Sequence, residues 1–118
     1  MFAGLHALVL RFVHTVRYEW DENKDVENQR KHSGISFDMA SLVFEDQCRV
    51  VGLDRIDETG DRRWHAIGMA SAKSRSAMIL LVVRAYRETS NGEEIIRIIS
   101  ARKASKQDVQ RYREQEMD

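Results

Sequence analysis

Two apolar, β-branched runs, Met78–Arg87 and Glu94–Ala101, are joined through Ser90-Asn91-Gly92, a turn signal whose glycine supplies the positive φ that tight hairpins need. The pattern predicts two neighbouring antiparallel strands. A hairpin this apolar cannot stand in water alone, so the rest of the chain has to cover it.

The remaining segments read as suitable partners. Further strands are expected at about Cys48–Leu53 and Arg63–Met69, with a short one at Tyr18-Glu-Trp20. Asp21 is a good N-cap for a helix running to about His32, which Gly34 can end. That helix is oddly polar: Val26 is its one aliphatic residue, while Lys24, Asn28 and Lys31 share a face at i, i+4, i+7 spacing. Ser36 can cap a second helix, whose Phe37, Ala40, Val43 and Phe44 form an apolar stripe for the core. Ser105 followed by Asp108 is a capping-box-like start for a last helix, with Val109 and Tyr112 facing inward and Lys106 and Arg113 outward. The class is therefore α+β, a mostly antiparallel sheet with packed helices. With 118 residues, no proline and no repeat, one domain is expected.

Charge is uneven. Residues 1–60 carry seven Lys/Arg against eleven Asp/Glu, and residues 61–118 carry twelve against eight, so halves of −4 and +4 cancel. Between Arg97 and Arg113 six cations face one anion, Asp108, a density that attracts phosphates but that a solvated helix face would equally produce. The single cysteine, Cys48, excludes an internal disulfide framework and suits a reducing cytoplasm. His6, His14, His32 and His65 stand singly and no CxxC or HExxH spacing occurs, so neither a metal nor a cofactor is expected. The opening residues 1–17 are apolar but interrupted by His6, Arg11 and His14, too short and too charged to span a bilayer. They read as an appended segment before a domain at 18–118.

Tyr18-Glu-Trp-Asp21, Lys24, Asn28-Gln-Arg-Lys-His32, Ser36-Phe37, Ala40 and Val43-Phe-Glu-Asp46 follow one another in an order that resembles the BrnT family of toxins from type II toxin–antitoxin pairs. Gly60-Asp-Arg-Arg63, Ile67-Gly68, Leu80-Leu-Val-Val83, Arg87, Arg97-Ile-Ile-Ser-Ala-Arg102, Ala104 and Tyr112 continue it, so the resemblance spans residues 18–113. Ser33 departs from the pattern by splitting Lys-His-Gly. The resemblance implies a small RelE-like endoribonuclease that arrests growth through translation. It also implies a BrnA-like antitoxin with a DNA-binding domain that neutralises the toxin in a hetero-oligomer.

Metal-free RNA cleavage needs a base for the 2′-hydroxyl, cations for the phosphorane and an acid for the leaving oxygen. Arg63, Arg87, Arg97 and Arg102 lie on or at the ends of strands, where a rigid scaffold aims them, though each also suits an ordinary ion pair. Arg97 shares its alternation with Ile95 and Ile99 and is expected to be buried against a carboxylate or to await a phosphate. Antiparallel pairing keeps Arg87 and Arg102 at opposite ends, so the four cannot meet one phosphate. His32, Lys24 and Lys31 are proton-transfer or backbone-binding candidates, with a structural loop histidine and a solvated face as the plainer readings. Tyr112 is a candidate for base stacking or a core tyrosine, Lys106 and Arg113 are candidate RNA contacts, and Trp20 and Trp64 are assigned to packing. The alternative from another class is an inactive module of the same fold whose basic patch receives an acidic antitoxin segment.

Overall fold

A computed structural model describes residues 16–72 and 75–117. Its elements are strand β1 (Val16–Glu19), helix α1 (Glu22–Lys31), helix α2 (Phe37–Ser41) running into a 3₁₀ turn (Leu42–Glu45), strands β2 (Val50–Ile56), β3 (Arg62–Ala72), β4 (Arg75–Glu88) and β5 (Glu94–Lys103), and helix α3 (Lys106–Met117). The class is α+β, as expected. One sheet runs in the order β1-β5-β4-β3-β2, antiparallel throughout except that β1 lies parallel to β5. Residues 1–15 of the segment read as an extension lie outside the described residues. Val16 and Arg17, however, already belong to β1, and Arg17 pairs with Glu93 at 3.1 Å.

The local signals act as their chemistry predicts. Asp21 accepts from the amides of Asn23 (2.8 Å) and Lys24 (3.3 Å), and Ser36 accepts from that of Met39 at 3.1 Å. Ser105 and Asp108 bond reciprocally at 2.9 and 3.1 Å, a full capping box. Helix α1 ends where Ser33 (φ 54°) and Gly34 (φ 84°) turn left-handed, and the Gly34 amide reaches the Gln29 carbonyl at 2.8 Å. The inserted serine thus takes a conformation that L-residues visit at a cost.

Helix α2 and its 3₁₀ extension lie on one sheet face, where Phe37, Ala40, Val43 and Phe44 bury against Ala66, Ala70, Leu80, Val82, Ile96, Ile98 and Ala101. Full burial of Phe37 alone contributes roughly 2–3 kcal/mol over exposure. Close approach depends on Gly68, where a Cβ would fall 2.8 Å from Val43 Cγ1. Helix α3 crosses the other face, where Tyr112 packs with Ile67 and Leu81 and with half-buried Cys48 and Val83.

Asn28 resolves the puzzle of the polar first helix. Strand β1 covers the β5 edge only from Glu94 to Arg97. Beyond it, the Asn28 side chain donates to the Ala101 carbonyl (2.8 Å) and accepts the Ala101 amide (3.1 Å), as a neighbouring strand would, and donates to the Ile35 carbonyl at 3.0 Å. What that face is polar for is edge capping by Asn28, which is buried, whereas Lys24 and Lys31 are exposed and Lys31 pairs with Glu27 at 3.1 Å.

Candidate active site

Since α3 covers only the part of its sheet face near β2 and β3, the hairpin end stays open. There a hollow of about 890 Å³ is lined by Glu19 of β1, Arg62, Arg63 and Trp64 of β3, Ala85, Tyr86 and Arg87 of β4, and Ile95 and Arg97 of β5, with Gly60 and Asp61 at its rim. Register explains the gathering. Ala85 faces Arg97, Arg87 faces Ile95 and, across the parallel pairing, Glu19 faces Arg97.

Glu19 Oε1 lies 3.2 Å from an Arg87 guanidinium nitrogen and 3.7 Å from one of Arg97. Both arginines remain accessible, with 65% and 46% of their side chains exposed. Ion pairs this exposed are worth about 0–1 kcal/mol each, so an arriving phosphate can displace the carboxylate. Arg63 is held more firmly, 2.8 Å from Asp57 and mostly buried. Asp57 is locked in the β2–β3 turn: it accepts from the Thr59 hydroxyl (2.7 Å) and amide (2.9 Å) and the Asp61 amide (3.0 Å). These contacts, the Thr59 hydroxyl foremost, hold its carboxyl below the ordinary range. Arg63 is therefore a positioned cation on one wall of a hollow whose other two arginines are solvent-accessible.

Arg63, Arg87 and Arg97 thus come together, and Arg102 does not. It pairs with Asp108 at 2.9 Å, where β5 meets the α3 cap. Arg97 corrects the expectation of burial. Arg97 lies on the face opposite the α2-covered Ile96 and Ile98, which α3 leaves open at the hairpin end, so it stays exposed although Ile95 on the same face is buried; Ile99 is the extra residue of a register shift further along β5. Tyr112 is 3% exposed and donates its hydroxyl to Asp46 Oδ2 at 2.6 Å, leaving no ring face for a base. Burial would raise the Asp46 carboxyl, but Tyr112, the Met69 and Cys48 amides and Arg49 together lower it. Lys106 and Arg113 are exposed on α3, as expected. Lys24, Lys31 and His32 line no part of the hollow, and the His32 amide caps α1 by donating to Asn28 O at 2.9 Å. Trp20 packs edge-on to Phe37, whereas Trp64 borders the hollow.

Sequence reasoning missed Glu19, Asp57 and Arg62. Glu19 becomes visible only once β1 is known to run parallel beside β5. Asp57-Glu-Thr59 does carry a local signal, an aspartate placed to cap its own turn. Among the described residues no group of three His, Cys, Asp or Glu side chains is placed to hold a metal ion, and no helix is long and apolar enough to cross a membrane.

A family model described as the ribonuclease toxin BrnT of type II toxin–antitoxin systems matches residues 20–108. No curated protein sequence matches the chain significantly.

Proposed function

Because the chain belongs to the BrnT family of ribonuclease toxins from type II toxin–antitoxin systems, we propose that the arginine-lined hollow is where it cleaves RNA, without a metal. The observation that supports this is the convergence of Arg63, Arg87 and Arg97 on one open sheet face, with Glu19 as the anion between two of them. A substrate phosphate takes the place of the Glu19 carboxylate against Arg87 and Arg97. Their planar forks then bond to equatorial oxygens and strengthen as the phosphorane gains charge. Glu19, freed but still beside the phosphate, accepts the 2′-hydroxyl proton; the 2′-oxygen bonds to phosphorus as the P–O5′ bond breaks, and the 5′-oxygen leaves as a hydroxyl with a proton from solvent, so that a 2′,3′-cyclic phosphate remains. Lys106 and Arg113 draw the RNA in electrostatically, and Arg102 and Tyr112 act through the fold.

The fold is read as RelE-like and the toxin as a cytoplasmic inhibitor of translation and growth, restrained by a BrnA-like antitoxin with a DNA-binding domain. Cleavage of a fluorescent RNA by Glu19→Gln tests the central assignment. The rate should fall on the order of 10²-fold or more at native melting temperature. An unchanged rate would remove Glu19 from the chemistry.

A further inference from the structure

On the opposite sheet face, beyond the cover of α2, Leu53, Trp64 and Arg84 form a cross-strand row through β2, β3 and β4. Tyr86 stands two residues beyond Arg84. Leu53, Val51 and Tyr86 are 49%, 45% and 44% exposed, which is a large apolar surface to leave in water. Strand β2 closes the sheet order, and among the described residues nothing pairs with its outer edge. An exposed apolar edge strand of this kind invites pairing with another chain.

Arg84 indicates the chemistry of that chain. Its guanidinium carbon sits 5.0 Å from the Phe44 ring centroid and 5.8 Å from that of Tyr86, clamped between two aromatic faces. Its Nε is buried without a hydrogen-bond partner, and among the described residues no carboxylate lies within ion-pair distance. Burial, then the charge of Arg49, depress its basicity, and Glu94 only partly offsets them. A half-buried, preoriented and unpaired guanidinium gains most from a carboxylate brought by a partner. Tryptophan, tyrosine and arginine around a desolvated centre are also the residues that dominate binding energy at protein interfaces.

We infer that the antitoxin anchors here, through an extended segment that adds to β2 along Val50–Leu53 and sets alternate apolar side chains on Val51 and Leu53, and whose acidic continuation crosses the sheet face over Trp64 to place a carboxylate on Arg84. The addition stops at Leu53 because a register shift between Leu53 and Arg55 breaks the strand's regular edge. A protein antitoxin follows from the family itself, so the inference does not depend on where RNA is cut.

The test uses the full chain and the antitoxin of its toxin–antitoxin pair, both purified, with affinity read by calorimetry and therefore independent of cleavage. Leu53→Glu puts a like charge against the acidic segment at an already exposed position. It should raise Kd on the order of 10²-fold, with unchanged melting temperature and RNA cleavage, and growth rescue by the antitoxin should fail. Arg84→Gln should weaken binding in the same direction. A Kd within threefold of wild type for Leu53→Glu would overturn the proposal. So would light scattering that shows the chain alone as a dimer dissociated by Leu53→Glu, since a second copy would then occupy the edge.

Discussion

Replacing Asn28 with alanine is the sharpest probe of how the polar helix α1 is used. The side chain makes three hydrogen bonds to main-chain groups of Ile35 and Ala101, all buried. At about 1 kcal/mol net each, their loss sums to about 3 kcal/mol. Stranded Ala101 and Ile35 groups push the cost upward, and water entering at the sheet edge pulls it back. With a urea slope of about 1–1.5 kcal/mol/M for a domain of this size, the unfolding midpoint should fall by about 2–3 M. Asn28→Asp should be at least as harmful, because it keeps the acceptor for the Ala101 amide but turns a carboxylate toward two carbonyl oxygens. Lys24→Ala and Lys31→Ala should stay within about 0.5 kcal/mol of wild type, as exposed positions do. Urea unfolding followed by tryptophan fluorescence measures all four. A cost below about 1 kcal/mol for Asn28→Ala would refute edge capping and restore α1 as a face kept polar for another purpose.

Arg97→Lys, which keeps the charge and loses the fork, should slow RNA cleavage on the order of 10²-fold at unchanged melting temperature, whereas Lys106→Ala and Arg113→Ala should mainly weaken binding and flatten its salt dependence. Gly68→Ala should cost about 1–3 kcal/mol of stability, because the new methyl meets Val43 on a packed wall; a neutral result in thermal unfolding would show the 3₁₀ turn to be free to shift. Burial would raise the Asp108 carboxyl, but Ser105 and Arg102 hold it below its ordinary value. Its contribution is thus fully present above the unfolded pKa of about 4 and lost as pH falls through the folded one. Arg102→Met should therefore reduce the stability lost on acidification below about pH 4, and an unchanged acid limb in a pH series of melts would contradict the pairing.

What could be read from the chain was mostly what short-range chemistry decides. The hairpin, the caps at Asp21, Ser36 and Ser105, and the stripe from Phe37 to Phe44 depend on residues within a few positions of one another, and each forms as expected. The site was legible only in its cations. Arg63, Arg87 and Arg97 were recognisable as strand-borne arginines, but their union depends on which face α3 leaves open. Glu19 was hidden by a parallel pairing between segments more than seventy residues apart. Alternation gives Arg97 its face but not its exposure, because Ile95 on the same face is buried while the helix that covers that face stops short of Arg97. Tyr112 was ambiguous for a similar reason, since its partner Asp46 is distant in sequence and its hydroxyl is satisfied inside.

Cleavage by the double variant Arg87→Ala, Arg97→Ala, measured in excess EDTA beside the wild type, tests the central claim most directly. Wild type should cut RNA to 2′,3′-cyclic phosphate ends at a rate EDTA does not change, and the double variant should lose on the order of 10³-fold or more at native melting temperature. Wild-type cleavage that stops in EDTA, or a folded double variant that cuts at the wild-type rate, would contradict it.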